Sequence, residues 1–447
     1  MAASIRERCS EANVEFVRLL CVTNDGMIRG QAVNVDHLES ALSSGIPLPK
    51  MTQSFNAIGY RVKDGRFDAV GEVRLLPDPS TFRVLPYEDR TAAVLCDLVE
   101  HDRDVAWDAD PRTAAKRMLA ACEEEGLAPT IAVEQEFHLY SEQSDGEIEP
   151  LDPRGEYSSA SMRASRSVIL DIVDALKAQG IDVRKHHPEY TAGKNEIVVG
   201  HGTGLEPLDN AVFCRETVAG VAERAGANAT FSPYPFDGAT NGCHLHLSLW
   251  DGEENVFAPA DDDAALSQRG RYFVGGVLEH MPGLLALTSP TVNSYARLQP
   301  AKSVCAYNCW GIGNREAAVR VPEVRPSNRT SGTRIEFRPA DNTSNPYLAV
   351  VGLLAAGRDG IDRELDPGPS VDQDPENLSD DTRRKRGIER LPRSLGEAVR
   401  ELENDEVLTA ALGDTLTESY VEIKRSQWEA FTAHADTWMR GTYRERF

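Results

Sequence analysis

Lysine is scarce in this chain: nine lysines stand beside 39 arginines, and 71 acidic residues outnumber the 48 basic ones, for a formal net charge of −23 over 447 residues. Such a surface repels phosphate, which disfavours non-specific nucleic-acid binding. It fits adaptation to high salt, where screening removes the self-repulsion. Long apolar runs are missing too. No stretch approaches the roughly 18 residues of a membrane span, so a membrane is not an expected partner. The opening residues MAASIRERCSEANVEF hold no apolar signal core, which disfavours secretion. The eight cysteines are scattered, only Cys305 and Cys309 are close, and there is no CxxC. A reduced, cytoplasmic protein without a disulfide framework is expected. Two nucleotide motifs are also lacking, GxxxxGK(S/T) and GxGxxG.

What is present divides the chain. VEFVRLLCV (14–22) and MIRGQAV (27–33) flank Asn-Asp-Gly and read as a β-hairpin. A helical stretch near 35–43 and strand-like runs at 68–76, 81–86 and 91–99 complete a small mixed domain of about 100 residues. HDRDVAWDADPRT (101–113) reads as a linker, with Pro111 opening a helix. Beyond it, helical patterns near 158–179, 207–227, 263–280, 345–358 and 415–437 alternate with strand patterns near 129–140, 181–186, 194–199, 243–250, 315–321 and 334–338. The Pro- and Asp-rich stretch 365–384 reads as an exposed loop.

Three strand patterns carry ionised faces. Side chains alternate across a strand. In IAVEQEFHLY (131–140), Ile131, Val133, Gln135, Phe137 and Leu139 share one face and Glu134, Glu136 and His138 the other. In CHLHLSL (243–249), His244, His246 and Ser248 oppose Cys243 and three leucines. In RIEFR (334–338), Arg334, Glu336 and Arg338 oppose Ile335 and Phe337. Solvated amphipathic strands are common, but their polar faces usually carry Lys, Thr, Ser or Gln. Glu189 and Glu196, flanking a turn at Gly193, add two carboxylates. If the strands are neighbours, they form an acid-rich front that requires divalent cations. Carboxylate-dominated ligation suits Mg²⁺ or Mn²⁺ better than zinc, although the His244/His246 pair could in principle serve zinc. Arg297, Arg315, Arg320, Arg334 and Arg338 follow close behind. Guanidinium forks, carboxylates and cations together are the equipment of phosphoryl transfer; structural salt bridges are the competing reading for two or three of these arginines.

At these residues the chain resembles the glutamine synthetase family along nearly its whole length. VEQEF resembles the family's ExEF strand, and HHPEYTAGKNEI its HHE…GQxE segment. ATFSPYPFDGATNGCHLHLSL (229–249) resembles the nucleotide and glutamate segment ending in GMHxH. NSYARL, NREAAVRVP and RIEFRPADNTSNPYLA match three further motifs, in the family's order. The resemblance implies an α+β fold. A β-grasp N-terminal domain (1–105) would precede a larger α/β catalytic domain (106–447) with a curved antiparallel sheet. It implies a homododecamer of two hexameric rings whose active sites lie between neighbouring subunits. It implies ATP and two or three Mg²⁺ or Mn²⁺ as cofactors, with glutamate and an amine or ammonium as small-molecule substrates. Carried over, Glu136, Glu189 and Glu196 would hold one ion, and Glu134, His244 and Glu336 a second. His246 and Ser248 would lie on the ATP side. Arg297, Arg338 and Gly242 would bind glutamate, while Arg315, Arg320 and Arg334 would stabilise the transferring phosphoryl group. The implied chemistry activates the γ-carboxylate as an acyl phosphate, which an amine then attacks.

The departures from the pattern are informative. Two family carboxylates bind ammonium and help deprotonate it. At those positions this chain has Ser303, six residues after Arg297, and Asn56. Neutral residues there imply an amine larger than ammonium, giving a γ-glutamyl amide; true glutamine synthetase, or a silent structural or nitrogen-sensing homologue, are the alternatives. Guanidine phosphorylation, on a similar catalytic fold, is disfavoured by the complete N-terminal domain. Lys194 replaces the usual Gln of the GQxE turn, where its charge would neutralise part of the carboxylate cluster. Ala239 and Asn241 alter the family's NGSG glutamate loop, and Tyr234 replaces a common Lys. Ser379 stands where some bacterial enzymes carry an adenylylated Tyr, so that regulation is not expected.

Overall fold

Asn24-Asp25-Gly26 closes the first hairpin as its turn chemistry requires, pairing Phe16–Val22 with Ile28–Asn34 antiparallel. The computed structural model describes residues 2–101, 105–142, 148–260, 264–300 and 304–444; linker residues 102–104 and Ser303 lie outside them. Gly26 has φ +85°, and a Cβ there would lie 2.2 Å from the Thr343 carbonyl oxygen. The turn therefore docks against the larger domain through a position that only glycine suits. The N-terminal sheet runs Ile28–Asn34, Phe16–Val22, Thr91–Glu100, Glu72–Pro77, Ile46–Pro49, and its two central strands are parallel. Helix Leu38–Ser44 covers it through Leu38 and Ala41, beside Val73, Leu75 and Leu98. This is the β-grasp arrangement.

The second sheet is larger and curls around the site. Its order is Glu389–Arg390, Tyr307–Ile312, Ala317–Val321, Ile335–Phe337, Cys243–Asp251, Ala128–Glu142, Lys194–Val199, Val183–Pro188. Pairing along this path is antiparallel except between Tyr307–Ile312 and Ala317–Val321, which are parallel. Its apolar back, including Ile131, Val133, Phe137, Leu245, Leu247, Ile335 and Phe337, packs on helices Pro111–Glu124, Glu206–Arg224 and Pro346–Asp362. Each such fully buried large side chain contributes about 1.5–3 kcal/mol. Together the two sheets and their helices form an α+β fold. Helix Pro111–Glu124 starts where Asp110 accepts from the amides of Arg112 and Thr113, with Pro111 in the first turn.

Some expected elements differ. The helix expected over 158–179 is two, Ser159–Ala164 and Arg166–Ala178, broken where the Ser165 hydroxyl donates back to the Ser161 carbonyl. The loop expected over 365–384 contains the start of a short helix, Asp380–Lys385, because Ser379 caps the Thr382 amide and two aspartates favour its N-terminus. Helices Ala2–Glu11, Met281–Thr288 and Leu395–Asn404 were not among the expectations. All eight cysteines are free and buried, and no helix among the described residues is long and apolar enough to cross a membrane.

His280 joins helices Gln268–Glu279 and Met281–Thr288. Its Nδ1 is 2.7 Å from Asp405 and its Nε2 2.9 Å from Asp359. Burial lowers its pKa, but the bonds to Asp405 and Asp359 outweigh that and raise it above the ordinary 6.5. The stabilisation is therefore complete below 6.5 and lost as pH rises through the raised value. Thermal unfolding followed against pH should show this decline, and His280→Gln should flatten it.

Candidate active site

The sheet registers place the ionised faces side by side. His244 lies opposite Glu134, His246 and Arg320 opposite Glu336, and Glu196 opposite Glu136. These fronts line one cavity of about 670 Å³. All six acidic or imidazole residues expected as metal ligands border it: Glu134, Glu136, Glu189, Glu196, His244 and Glu336. So do His246, Arg297, Arg315, Arg320, Arg334 and Arg338. Strands separated by up to two hundred residues meet here because one face of each is apolar and turned to the core.

Among the described residues, two triads bring their donor atoms within 4.8 Å of one another: Glu134, His244 and Glu336, and His187, Glu189 and Glu196. The first is the expected set. The second contains His187 where Glu136 was expected. The reason is Lys194, whose Nζ lies 2.7 Å from Glu136 Oε2, while the Gly242 amide donates to the same oxygen. Against the upward push of burial, Lys194 holds the Glu136 carboxyl far below its usual range. Each triad offers two carboxylates and one imidazole, an oxygen-rich donor set that fits Mn²⁺ or Mg²⁺. Burial, then Glu134, Glu136 and Glu189, push the Glu196 pKa far up. The site thus holds more negative charge than its own cations offset, as expected of a cradle for divalent ions. Burial, then Arg338, lower His244 to about 4, keeping its imidazole in the neutral form a metal takes.

The arginines divide by task. Glu336 accepts from Arg320 Nη1 at 2.6 Å and from Arg338 Nη1. Arg334 Nε donates to His246 Nδ1 at 3.1 Å, which assigns the ring proton to Nε2, 3.1 Å from Glu134 Oε2. Arg297 is buried and gives its fork to the carbonyls of Pro339, Ala340 and Arg338; it holds that turn, and its edge borders the cavity. Arg315 is exposed and has no side-chain hydrogen bond or ion pair among the described residues, which makes it the guanidinium most available to an arriving anion.

Other expected residues lie off the cavity wall. Gly242 is not in the lining, but a Cβ there would meet His244 Nε2 at 2.7 Å and Arg297 Nη2 at 2.8 Å, so its bareness lets both approach. Ser248 is buried on the same face and accepts from Trp250 Nε1 at 3.0 Å. Asn56 is buried in the N-terminal domain, its Oδ1 taking the amides of Ile58 and Tyr60 and its Nδ2 donating to Ser426. His138, on the ionised face, is structural: its ring nitrogens meet Asn241 and Thr191 at 2.8 and 3.0 Å. Sequence reasoning missed His187, Tyr157 and Glu316, which also line the cavity. His187 was in view inside HHPE, but a histidine on a strand end carries no spacing signal of its own.

A family model described as glutamine synthetase, catalytic domain, matches residues 108–443, and one described as glutamine synthetase N-terminal domain matches residues 1–107. The chain is similar to the glutamine synthetase of Halobacterium salinarum, at 35% identity over 444 residues, covering 97% of this chain and 94% of that protein. It is similar to that of Thermotoga maritima, at 34% over 442 residues and 97% of each. Among solved structures, a GmaS–ADP complex matches with a TM-score of 0.84 at 28% identity, covering 98% of both chains. A novel glutamine synthase homolog matches with 0.83 at 33%, covering 94% of this chain and 95% of the other.

Proposed function

The chain belongs to the glutamine synthetase family, and we propose that within it the protein joins the γ-carboxylate of L-glutamate to a primary amine larger than ammonium. The family is one of ATP-dependent C–N ligases that use divalent cations. ATP supplies the phosphoryl group that turns a poor acyl donor into an acyl phosphate. This chain's own part is to hold the carboxylates and guanidiniums that balance the charge accumulating there. Arg320, Arg334 and Arg315 are the proposed phosphoryl-side groups, and Arg338 and Arg297 the proposed glutamate-side groups.

The observation that carries the larger amine is the neutrality of Asn56 and Ser303, where the family pattern has ammonium-binding carboxylates. Asn56 also has its carboxamide committed, the oxygen to its own turn and the nitrogen to Ser426. One cavity carboxylate lies outside the triads and the Lys194 pair: that of Glu316, whose amide donates to Asn314 Oδ1 but whose carboxylate makes no hydrogen bond or ion pair among the described residues. It supports an amine whose charged or hydrogen-bonding end reaches farther than ammonium could. A weakly basic amine would need the missing base least. The GmaS neighbours, gamma-glutamylmethylamide synthetases, agree with this reading. The names of the curated relatives favour the second reading, glutamate–ammonia ligation.

Phosphate release with ATP, Mn²⁺ or Mg²⁺, L-glutamate and a panel of amines at high salt separates them. At least one alkyl or aryl amine should exceed ammonium in kcat/KM by about tenfold or more. Vigorous turnover with low-millimolar ammonium, unmatched by any amine, would establish the second reading instead.

A further inference from the structure

The donor atom grouped with Glu189 and Glu196 comes from His187 and not from Glu136 as the family motif implies, and Glu136 is paired with Lys194. We propose that Lys194 permanently withdraws Glu136 from metal coordination, that His187 takes its place, and that both cation sites therefore have one imidazole and two carboxylates. This rests on the family reading only for the presence of two cation sites.

Lys194 and Glu136 are diagonal neighbours on paired strands: Lys194 faces His138 and Glu196 faces Glu136 in the register. Their side chains are 7% and 9% exposed. The ammonium thus has little water to retreat into and one carboxylate oxygen within 2.7 Å. The Gly242 amide donates to that same oxygen. A divalent ion drawn to Glu136 would have to sit against a buried positive charge, which like-charge repulsion opposes. On the other side of the pocket, His187 Nε2 is 2.9 Å from Glu189 Oε1 and 3.8 Å from Glu196 Oε2. Its ring stacks on Tyr157, with centroids 5.3 Å apart and planes 11° apart. The Tyr157 hydroxyl donates to Glu189 Oε1 at 2.9 Å, so one side chain orients both ligands. His187 Nδ1 is buried with no hydrogen-bond partner; the aromatic stack, not a bond to that nitrogen, fixes the ring.

Two consequences follow chemically. Exchanging a carboxylate for an imidazole removes one negative charge from the site, and Lys194 adds a positive one nearby. The site should therefore hold Mg²⁺ more weakly than three carboxylates would. Because imidazole is the softer donor, the site should favour Mn²⁺.

Calorimetric titration of the full-length protein with Mn²⁺, without nucleotide or amine, reads the ligands directly. The wild type should bind two Mn²⁺ per chain. His187→Ala should weaken one of the two by at least about tenfold and leave the other unchanged. The intact Glu134/His244/Glu336 site then serves as an internal check that the variant is folded. Lys194→Gln frees Glu136, so the double variant His187→Ala/Lys194→Gln should regain the second ion. Two wild-type ions in His187→Ala would overturn the proposal, as would failure of the double variant to recover the lost one. Because no turnover is measured, a protein preferring ammonium would refute the amine reading and leave this one standing.

Discussion

Replacing Glu336 by glutamine should lower ligase turnover by at least about 10³-fold, the scale of several kcal/mol that a bound cation supplies to a developing charge, while the protein stays folded. Glu336 sits where the Ile335–Phe337 strand meets both Cys243–Asp251 and Ala317–Val321. Its carboxylate is 3.5 Å from His244 and accepts from Arg320 and Arg338. Burial pushes its pKa up, but Arg338, then His244, pull it far below the usual range. It is therefore an anion at any working pH, shared between a proposed cation site, a proposed phosphoryl-side arginine (Arg320) and a proposed glutamate-side arginine (Arg338). Glutamine keeps the shape and an acceptor oxygen for a guanidinium, so the cavity wall persists, but the charge is gone. Phosphate release at saturating substrate, beside circular dichroism and an unfolding curve, tests it. Turnover within tenfold of wild type would remove Glu336 from the proposed metal-holding role.

The second large effect concerns stability. Arg112→Met should destabilise the protein by about 3–5 kcal/mol, the cost of stranding buried charges when one partner is removed. Arg112 is buried in the first turn of helix Pro111–Glu124 and reaches in three directions. Its Nε and Nη2 bind Asp209 at 3.1 and 2.8 Å. Its Nη1 meets Asp97 at 2.7 Å and its Nη2 meets Asp78 at 2.8 Å. Asp78 and Asp97 come from the N-terminal sheet region, whereas Asp209 belongs to a helix behind the large sheet and also accepts from the Tyr347 hydroxyl at 2.6 Å. The planar fork holds the two halves of the chain together, a geometry lysine could not reproduce. The denaturant midpoint should fall, with the N-terminal sheet losing amide-exchange protection first. An unchanged midpoint would mean the network contributes nothing net.

Much of the site was legible in the residues. Ile131 to Leu139 and Cys243 to Leu249 alternate with period two, and each apolar member is buried on the back while Glu134, Glu136, His244 and His246 line the cavity. The Asn-Asp-Gly hairpin and the Pro111 helix start were equally plain, because turn and cap chemistry is local. Alternation names a face but not a task. His138 shares the ionised face yet serves Asn241 and Thr191, and Arg297 spends its fork on backbone carbonyls. Helix Leu395–Asn404 was overlooked although Ser394 and Glu397 form a plain N-terminal start, with the Ser394 hydroxyl taking the Glu397 amide.

By itself the sequence determined the charge of the surface, the two-faced strands, the order of the motifs and the neutrality of positions 56 and 303. Each of these is a matter of composition or of spacing over a few residues. Only the tertiary structure decided which carboxylates face which cations. Lys194 and Glu136 are 58 positions apart, and His187 competes for the same ground only because three strands pair in one particular register. Where Lys194 and Glu136 meet, nearly closed to water, a shift of a few ångströms determines whether an acid meets an ammonium or a metal ion, since attraction there falls off with distance but is scarcely screened.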